Sequence, residues 1–197
     1  MKYRGLEIKT DDDVYEPCDD TFLLMDCLEG RIRRDDRVLD LGTGTGILGI
    51  FCAKQGANVV CADINQFAVK LARENAKLNG VKIAAAQSDM FLKINGKFDV
   101  IIFNPPYLPT EKGDKIPGAL NFSFDGGRKG NNAILRFVKS FPSHLAPSGR
   151  VYLLLSSLNG VEKILLRLKR SGFSAEMIAE RAFDFERLYA YLVTSGW

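Results

Sequence analysis

The stretch RVLDLGTGTGILGIFCAKQG (37–56) constrains the fold more than any other part of the chain. A short apolar run of strand type leads into glycines at alternate positions, Gly42, Gly44 and Gly46. An apolar segment long enough for a helix follows, closed by Gly56, a residue that suits a helix C-terminus. Strand, glycine turn and helix open a βαβ unit, in which parallel strands are covered by helices.

The same alternation continues downstream. NVVCAD (58–63) reads as a second strand, and FAVKLARENAKLNG (67–80) as a helix with Ala68, Leu71, Ala72, Asn75 and Leu78 on one face. KIAAAQ (82–87), FDVIIF (98–103) and GRVYLLLSS (149–157) read as the third, fourth and fifth strands, and VEKILLRLKRSG (161–172) as a basic amphipathic helix with a solvated face. FSAEMIAERAF (173–183) and FERLYAYLVTS (185–195) predict a closing hairpin, hence one antiparallel strand. The class is α/β. With 197 residues, 46% of them hydrophobic, the chain can bury a core as a single domain over 1–197.

Two segments stand outside the alternation. VYEPCDDTFLL (14–24) predicts a turn at Pro17 and a short helix capped by Asp19 or Asp20, within an N-terminal segment (1–30) that would cover a cofactor. Residues 108–130 hold five glycines and two prolines, and a loop of that length in a compact domain is usually functional or disordered; the expectation here is a substrate loop.

Several function classes drop out. Lys and Arg number 27 against 24 Asp and Glu, a net +3 without the concentrated charge of a dedicated nucleic-acid binder. Cys18, Cys27, Cys52 and Cys61 form no CxxC pair and read as reduced thiols. His144, the single histidine, leaves no zinc-ligand spacing and little basis for a Ser-His or Cys-His centre. The N-terminus lacks the apolar stretch of a signal peptide, and no run has the roughly 18 apolar residues of a membrane span. The expectation is a soluble cytoplasmic protein with no metal and no membrane partner.

In an open parallel sheet, ligands bind beyond the carboxyl ends of the strands. DLGTGTG stands at such an end, where its glycines permit a tight turn and the close approach of a ligand to backbone amides. GTGILG (44–49) also satisfies GxGxxG, which keeps a nicotinamide or flavin dinucleotide open. Register argues against it, because Asp40 and Gly42 precede the match whereas the dinucleotide pattern starts directly after the strand. Asp63 ends the second strand, where a carboxylate can take two ribose hydroxyls. Asp89, after the third strand, is placed to receive the exocyclic amine of an adenine with Met90 beside the ring, or else to cap a helix.

FNPPY (103–107) ends the fourth strand. Consecutive prolines remove two amide donors and stiffen the backbone, so the carbonyls of Asn104 and Pro105 can be held towards a cleft. Asn104 adds a side-chain acceptor, and Tyr107 offers a flat ring. Converging acceptors and a ring suit a planar NH2 group, whose nitrogen is a poor nucleophile until hydrogen bonds favour its pyramidal form. With no general base nearby, the electrophile must already be reactive, as a sulfonium methyl is.

These residues resemble the class I S-adenosylmethionine-dependent methyltransferases, whose amino-group branch carries NPPY after the fourth strand. VYEPCDDTFLL, DLGTGTG, Asp63, Asp89, FNPPYLP and FDGGRKG, in that order, look closest to the HemK-like protein-glutamine methyltransferases of archaea and eukaryotes. The resemblance implies a Rossmann-like, seven-stranded fold with the last strand antiparallel. It implies that Thr21, Asp40, Gly42, Asp63, Asp89 and Met90 contact S-adenosylmethionine, while Asn104, Pro105, Pro106 and Tyr107 hold the glutamine of the GGQ motif in a class-1 peptide release factor. It also implies a heterodimer with a small zinc-binding activator protein. Cys18-Asp19 replaces the branch's usual Ala-Glu.

Two rival readings remain. An exocyclic amine of RNA or DNA satisfies the same NPPY geometry, with Lys112, Lys115, Arg128 and Lys129 available for phosphates. A nucleotide-binding module or NAD-dependent oxidoreductase would use the glycine loop without methyl transfer.

Overall fold

The computed structural model describes residues 1–110, 118–120 and 126–196. Strands β1 (Lys2–Tyr3) and β2 (Leu6–Glu7) form a small hairpin ahead of helix α1 (Asp19–Leu28). Then β3 (Arg37–Leu41), α2 (Ile47–Lys54), β4 (Asn58–Asp63), α3 (Gln66–Leu78), β5 (Ala84–Gln87) and β6 (Phe98–Phe103) alternate. Helix α4 (Asn132–Ser140), β7 (Leu145–Ser156), α5 (Val161–Arg170), β8 (Phe173–Ala182) and β9 (Arg187–Ser195) complete the order.

The main sheet has seven strands in the order β5-β4-β3-β6-β7-β9-β8. Only β9 runs against its neighbours, pairing antiparallel with β7 and β8. The expected mostly parallel α/β sheet with an antiparallel last strand is what the chain forms. Between β3 and β6 the chain order reverses, and a crevice opens beyond their carboxyl ends.

Side-chain alternation along each strand sorts the core into two layers. Val38, Val100, Ile102 and Leu154 pack towards α1 and α2. Leu39, Leu41, Ile101, Phe103 and Leu153 pack towards α4 and α5, where the Phe103 and Phe137 rings stack 4.5 Å apart. Burying a side chain of this size stabilises the fold by roughly 1.5–3 kcal/mol. Helix α2 lies close on the sheet because Gly49 has no Cβ; one added there would sit 2.6 Å from Cys61 Sγ.

Three asparagines of the α3 region bind the N-terminal segment as a strand partner would. Asn79 exchanges hydrogen bonds with the Glu7 backbone at 3.0 and 2.7 Å, Asn75 with the Lys9 backbone at 2.8 and 3.0 Å, and Asn65 Nδ2 donates to Asp13 O at 2.8 Å. Asn75 Nδ2 also donates to Thr45 O at 2.9 Å, tying this strap to the glycine loop. Val14 then anchors on Ala68 and Leu71, which brings Tyr15 over Gly44.

The structure departs from the sequence reading at several places. Leu78 is 42% exposed, and the apolar face of α3 runs through Val69 and Ala76 instead. Cys18 occupies the N-cap position of α1 without a side-chain cap bond, while Asp19 and Asp20 fall in the first turn. Helix α4 went unread, although Ile134, Phe137, Val138 and Phe141 are buried at spacings of three and four. Strand β7 starts at Leu145, because a register shift between Phe98 and Val100 lets it pair before the run read at 149. Lys112, Lys115 and the start of FDGGRKG lie outside the described residues. Among the described residues, no helix is long and apolar enough to cross a membrane.

Candidate active site

Beyond β3 and β6 lies a cavity of about 480 Å³. The glycine loop forms one wall. Gly42 N and Thr43 N donate to Ala62 O at 2.8 and 3.1 Å, and Gly46 N to Thr43 O at 2.8 Å, which pins the loop to the end of β4. Gly44 adopts φ +52°, and Gly46, at φ +84°, has no room for a Cβ, which would lie 2.8 Å from that of Ala72. Gly42, Thr43, Gly44 and Thr45 face the cavity, whereas Gly46 serves the packing of α2 against α3.

The carboxylates expected at the cofactor divide by role. Asp40 is 2% exposed and does not line the cavity. Its Oδ2 accepts from Thr43 Oγ1 at 2.5 Å and from Gly49 N at 3.0 Å, so it staples the loop to α2 from behind. Burial pushes its pKa up to about 7 against the opposing pull of the Thr43 and Gly49 hydrogen bonds. Asp63 lines the cavity, accepting from Gly44 N at 3.0 Å and from Asn65 N at 2.9 Å. Burial raises its pKa, and backbone hydrogen bonds from Asn65, Gly44 and Ile64 oppose the rise. Each oxygen has a second lone pair to offer.

Asp89 and Met90 also line the cavity. No helix follows Asp89, so capping is not its role; a turn does, in which Leu92 N donates to Asp89 O at 3.2 Å and Met90 takes φ +50°. Arg136 of α4, likewise on the wall, pairs with Asp89 at 2.8 Å.

The acceptor motif stands beside the glycine loop, and Asn104, Pro105, Pro106 and Tyr107 all line the cavity. Asn104 Nδ2 donates to Asp20 Oδ2 at 3.1 Å. An ionised carboxylate only accepts, so this contact assigns the NH2 end of the Asn104 amide to Asp20 and turns Oδ1 the other way. Among the described residues, Asn104 Oδ1 is the one buried side-chain polar atom without a hydrogen-bond partner. Leaving such an atom unpaired costs roughly 1–3 kcal/mol. Burial is the first cause holding the Tyr107 hydroxyl above its usual range, followed by the charge of Asp20, so its ring stays neutral.

Asp20 is itself 3% exposed, accepting from Tyr15 Oη at 3.1 Å and from Thr21 N at 2.6 Å. Thr21, expected at the cofactor, lines the cavity beside it. Sequence reasoning gave Asp20 only a capping role and did not single out Tyr15, Arg136, Asn159 or Glu186. For Asp20 the signal was an acid on the apolar face of DTFLL. Asn159 carried no pattern, yet its Nδ2 donates to Tyr107 O and Gly130 O, each at 2.8 Å, clasping the acceptor motif to the end of the long loop.

The sequence matches the methyltransferase small domain family over residues 9–117. It is 45% identical to a Methanocaldococcus jannaschii protein provisionally named a protein N5-glutamine methyltransferase, covering 100% of this chain and 98% of the other. It is 32% identical to human methyltransferase HEMK2, over 89% of this chain and 87% of that one. Among solved structures, the Mtq2–Trm112 complex of E. cuniculi, described as responsible for methylating the translation termination factor eRF1, superposes with a TM-score of 0.74 at 30% identity, covering 93% of this chain and 99% of the other.

Proposed function

Because the chain belongs to the HemK-like class I methyltransferases, we propose that it methylates the side-chain amide of the GGQ glutamine in a class-1 peptide release factor, using S-adenosylmethionine. One observation carries this reading. Asn104, whose buried Oδ1 has no partner, lines the same cavity as two prolines without N–H groups and the neutral ring of Tyr107.

The residues present fit that cofactor. Asp63 would hold its ribose end against the glycine loop, Asp89 and Met90 its adenine, and Thr21 the rest, with Asp40 steadying the loop from behind. Carboxylates of Asp63 and Glu186 line the cavity, as does Asp89 paired with Arg136, a negative excess that suits a guest of positive charge. When bound, S-adenosylmethionine supplies a sulfonium methyl electrophilic enough to need no general base.

The chain's own residues activate the acceptor. Asn104 Oδ1 accepts from the glutamine N–H, aiming the nitrogen and favouring its pyramidal form. Asp20 prevents the Asn104 amide from turning over, since the reverse orientation would set two oxygens against each other. Tyr107 supplies a face for the planar amide. A preorganised polar contact of this kind contributes roughly 3–4 kcal/mol, and alignment of the two reactants up to about 7–11 kcal/mol.

The Mtq2–Trm112 complex supports a heterodimer with an activator subunit, small and zinc-binding by the family resemblance, and a release-factor substrate supports a cytoplasmic activity. The experiment is incubation with labelled S-adenosylmethionine and release factor, with and without activator, beside tRNA, rRNA and DNA. Mass spectrometry should find one methyl on the GGQ glutamine. Label on nucleic acid alone would replace this reading with the nucleobase one.

A further inference from the structure

Glu186 lines the cavity from the turn between β8 and β9, which Phe183 N closes by donating to Glu186 O at 2.8 Å. Its Oε2 accepts from Ser156 Oγ at 2.9 Å, and Ser156 is fully buried at the end of β7. Ser156 N in turn donates to Asn159 Oδ1 at 2.8 Å, and Asn159 grips the carbonyl of Tyr107. The turn is therefore held in register with the acceptor motif by a buried chain of hydrogen bonds. That bond to Ser156 engages only one carboxylate oxygen of Glu186, so the other keeps its acceptor capacity.

The other side of the turn is apolar and bare. Phe185 is 95% exposed and Phe183 41% exposed. Leu158, at 44%, adjoins Ser157, whose Oγ accepts from Arg187 N at 3.1 Å at the base of the hairpin. A single exposed phenylalanine needs no explanation, but here apolar side chains gather on the element that reaches into the site. Charge selects the class of partner. Arg181 and Arg187, the hairpin's cations, pair with Asp19 and Glu180, so Asp184 and Glu186 leave the tip negative. A phosphate backbone is repelled by such a tip, whereas a polypeptide is not.

Resting on the reading of the site as a protein-amide methyltransferase, we propose that the turn Phe183–Glu186 docks the polypeptide that flanks the acceptor residue. Phe185 packs on an apolar side chain of that polypeptide outside the cavity, and Glu186 accepts one of its main-chain N–H groups inside.

The test is steady-state kinetics on the release factor with Phe185→Ala and Phe185→Leu, with S-adenosylmethionine affinity and Tm measured to establish that each variant is folded. Phe185→Ala is expected to raise KM for the release factor at least threefold, with kcat within twofold, and Phe185→Leu to recover most of the loss. A KM for Phe185→Ala within threefold of wild type overturns the proposal, as does a leucine variant no better than alanine. Wild-type enzyme that labels RNA and no protein sinks the underlying reading instead, so the two failures are distinguishable.

Discussion

Asn104 Nδ2 lies 3.1 Å from Asp20 Oδ2, across 84 positions of sequence, and that contact leaves the Asn104 Oδ1 as the end of the amide without a partner. Asp20→Asn removes the demand for a donor at this point and allows Asn104 to present NH2 instead of oxygen. The expected outcome is a fall in kcat of at least tenfold, about 1.4 kcal/mol, with S-adenosylmethionine affinity within threefold of wild type. Single-turnover kinetics beside calorimetry checks it; an unchanged kcat removes Asp20 from this role.

Asn104→Ala deletes the orphan acceptor itself. Turnover should collapse by roughly a hundredfold or more, the scale of losing one preorganised polar contact, while cofactor binding stays near normal. Retained turnover in a labelled-methyl assay would refute the assignment.

Asp63 holds Gly44 N and Asn65 N while facing the cavity. Asp63→Ala should weaken S-adenosylmethionine binding by roughly 1.5–3 kcal/mol, the scale of hydrogen bonds to a charged group. Titration calorimetry measures it, and undiminished affinity would mean that the ribose lies elsewhere.

Asp40 yields a prediction in pH. Its pKa is raised from 3.8 to about 7 by burial, so between those values the native state keeps a proton that the unfolded chain has released. Stability from this group is present in full below pH 3.8 and is lost as pH rises through about 7, at up to about 1.4 kcal/mol per pH unit. Asp40→Asn, which keeps the shape, lacks this dependence. Urea unfolding of both proteins from pH 5 to 8 should show wild type losing stability relative to the variant with rising pH; parallel curves would contradict it.

Much of the architecture was legible because it follows from local rules. The runs 37–41, 58–63 and 98–103 match their strands residue for residue, since apolar runs bounded by glycine or proline leave few alternatives. Helix α4 has three-and-four apolar spacing but is only nine residues long and starts without a side-chain cap, so its local signal is weak. Asp40 and Asp63 looked alike in sequence, each an acid at a strand end. Position along the strand separated them: Asp40 pairs with Cys61, two residues short of Asp63 on the same face, so it lies beneath Gly49 while Asp63 reaches the strand end beside Gly44.

The sequence by itself determined the alternation of strands and helices from β3 to β6, the glycine turn and the acceptor-rich tip of β6, because side-chain period, glycine freedom and proline's missing donor act within a few bonds. Tertiary structure alone decided that Asn104 gives its NH2 to Asp20 and leaves its oxygen unpaired, that Asp40 works from behind the loop and that Glu186 lines the cavity. Each of these depends on hydrogen bonds between segments far apart in the chain, and a partner's distance and direction exist only once the sheet has assembled.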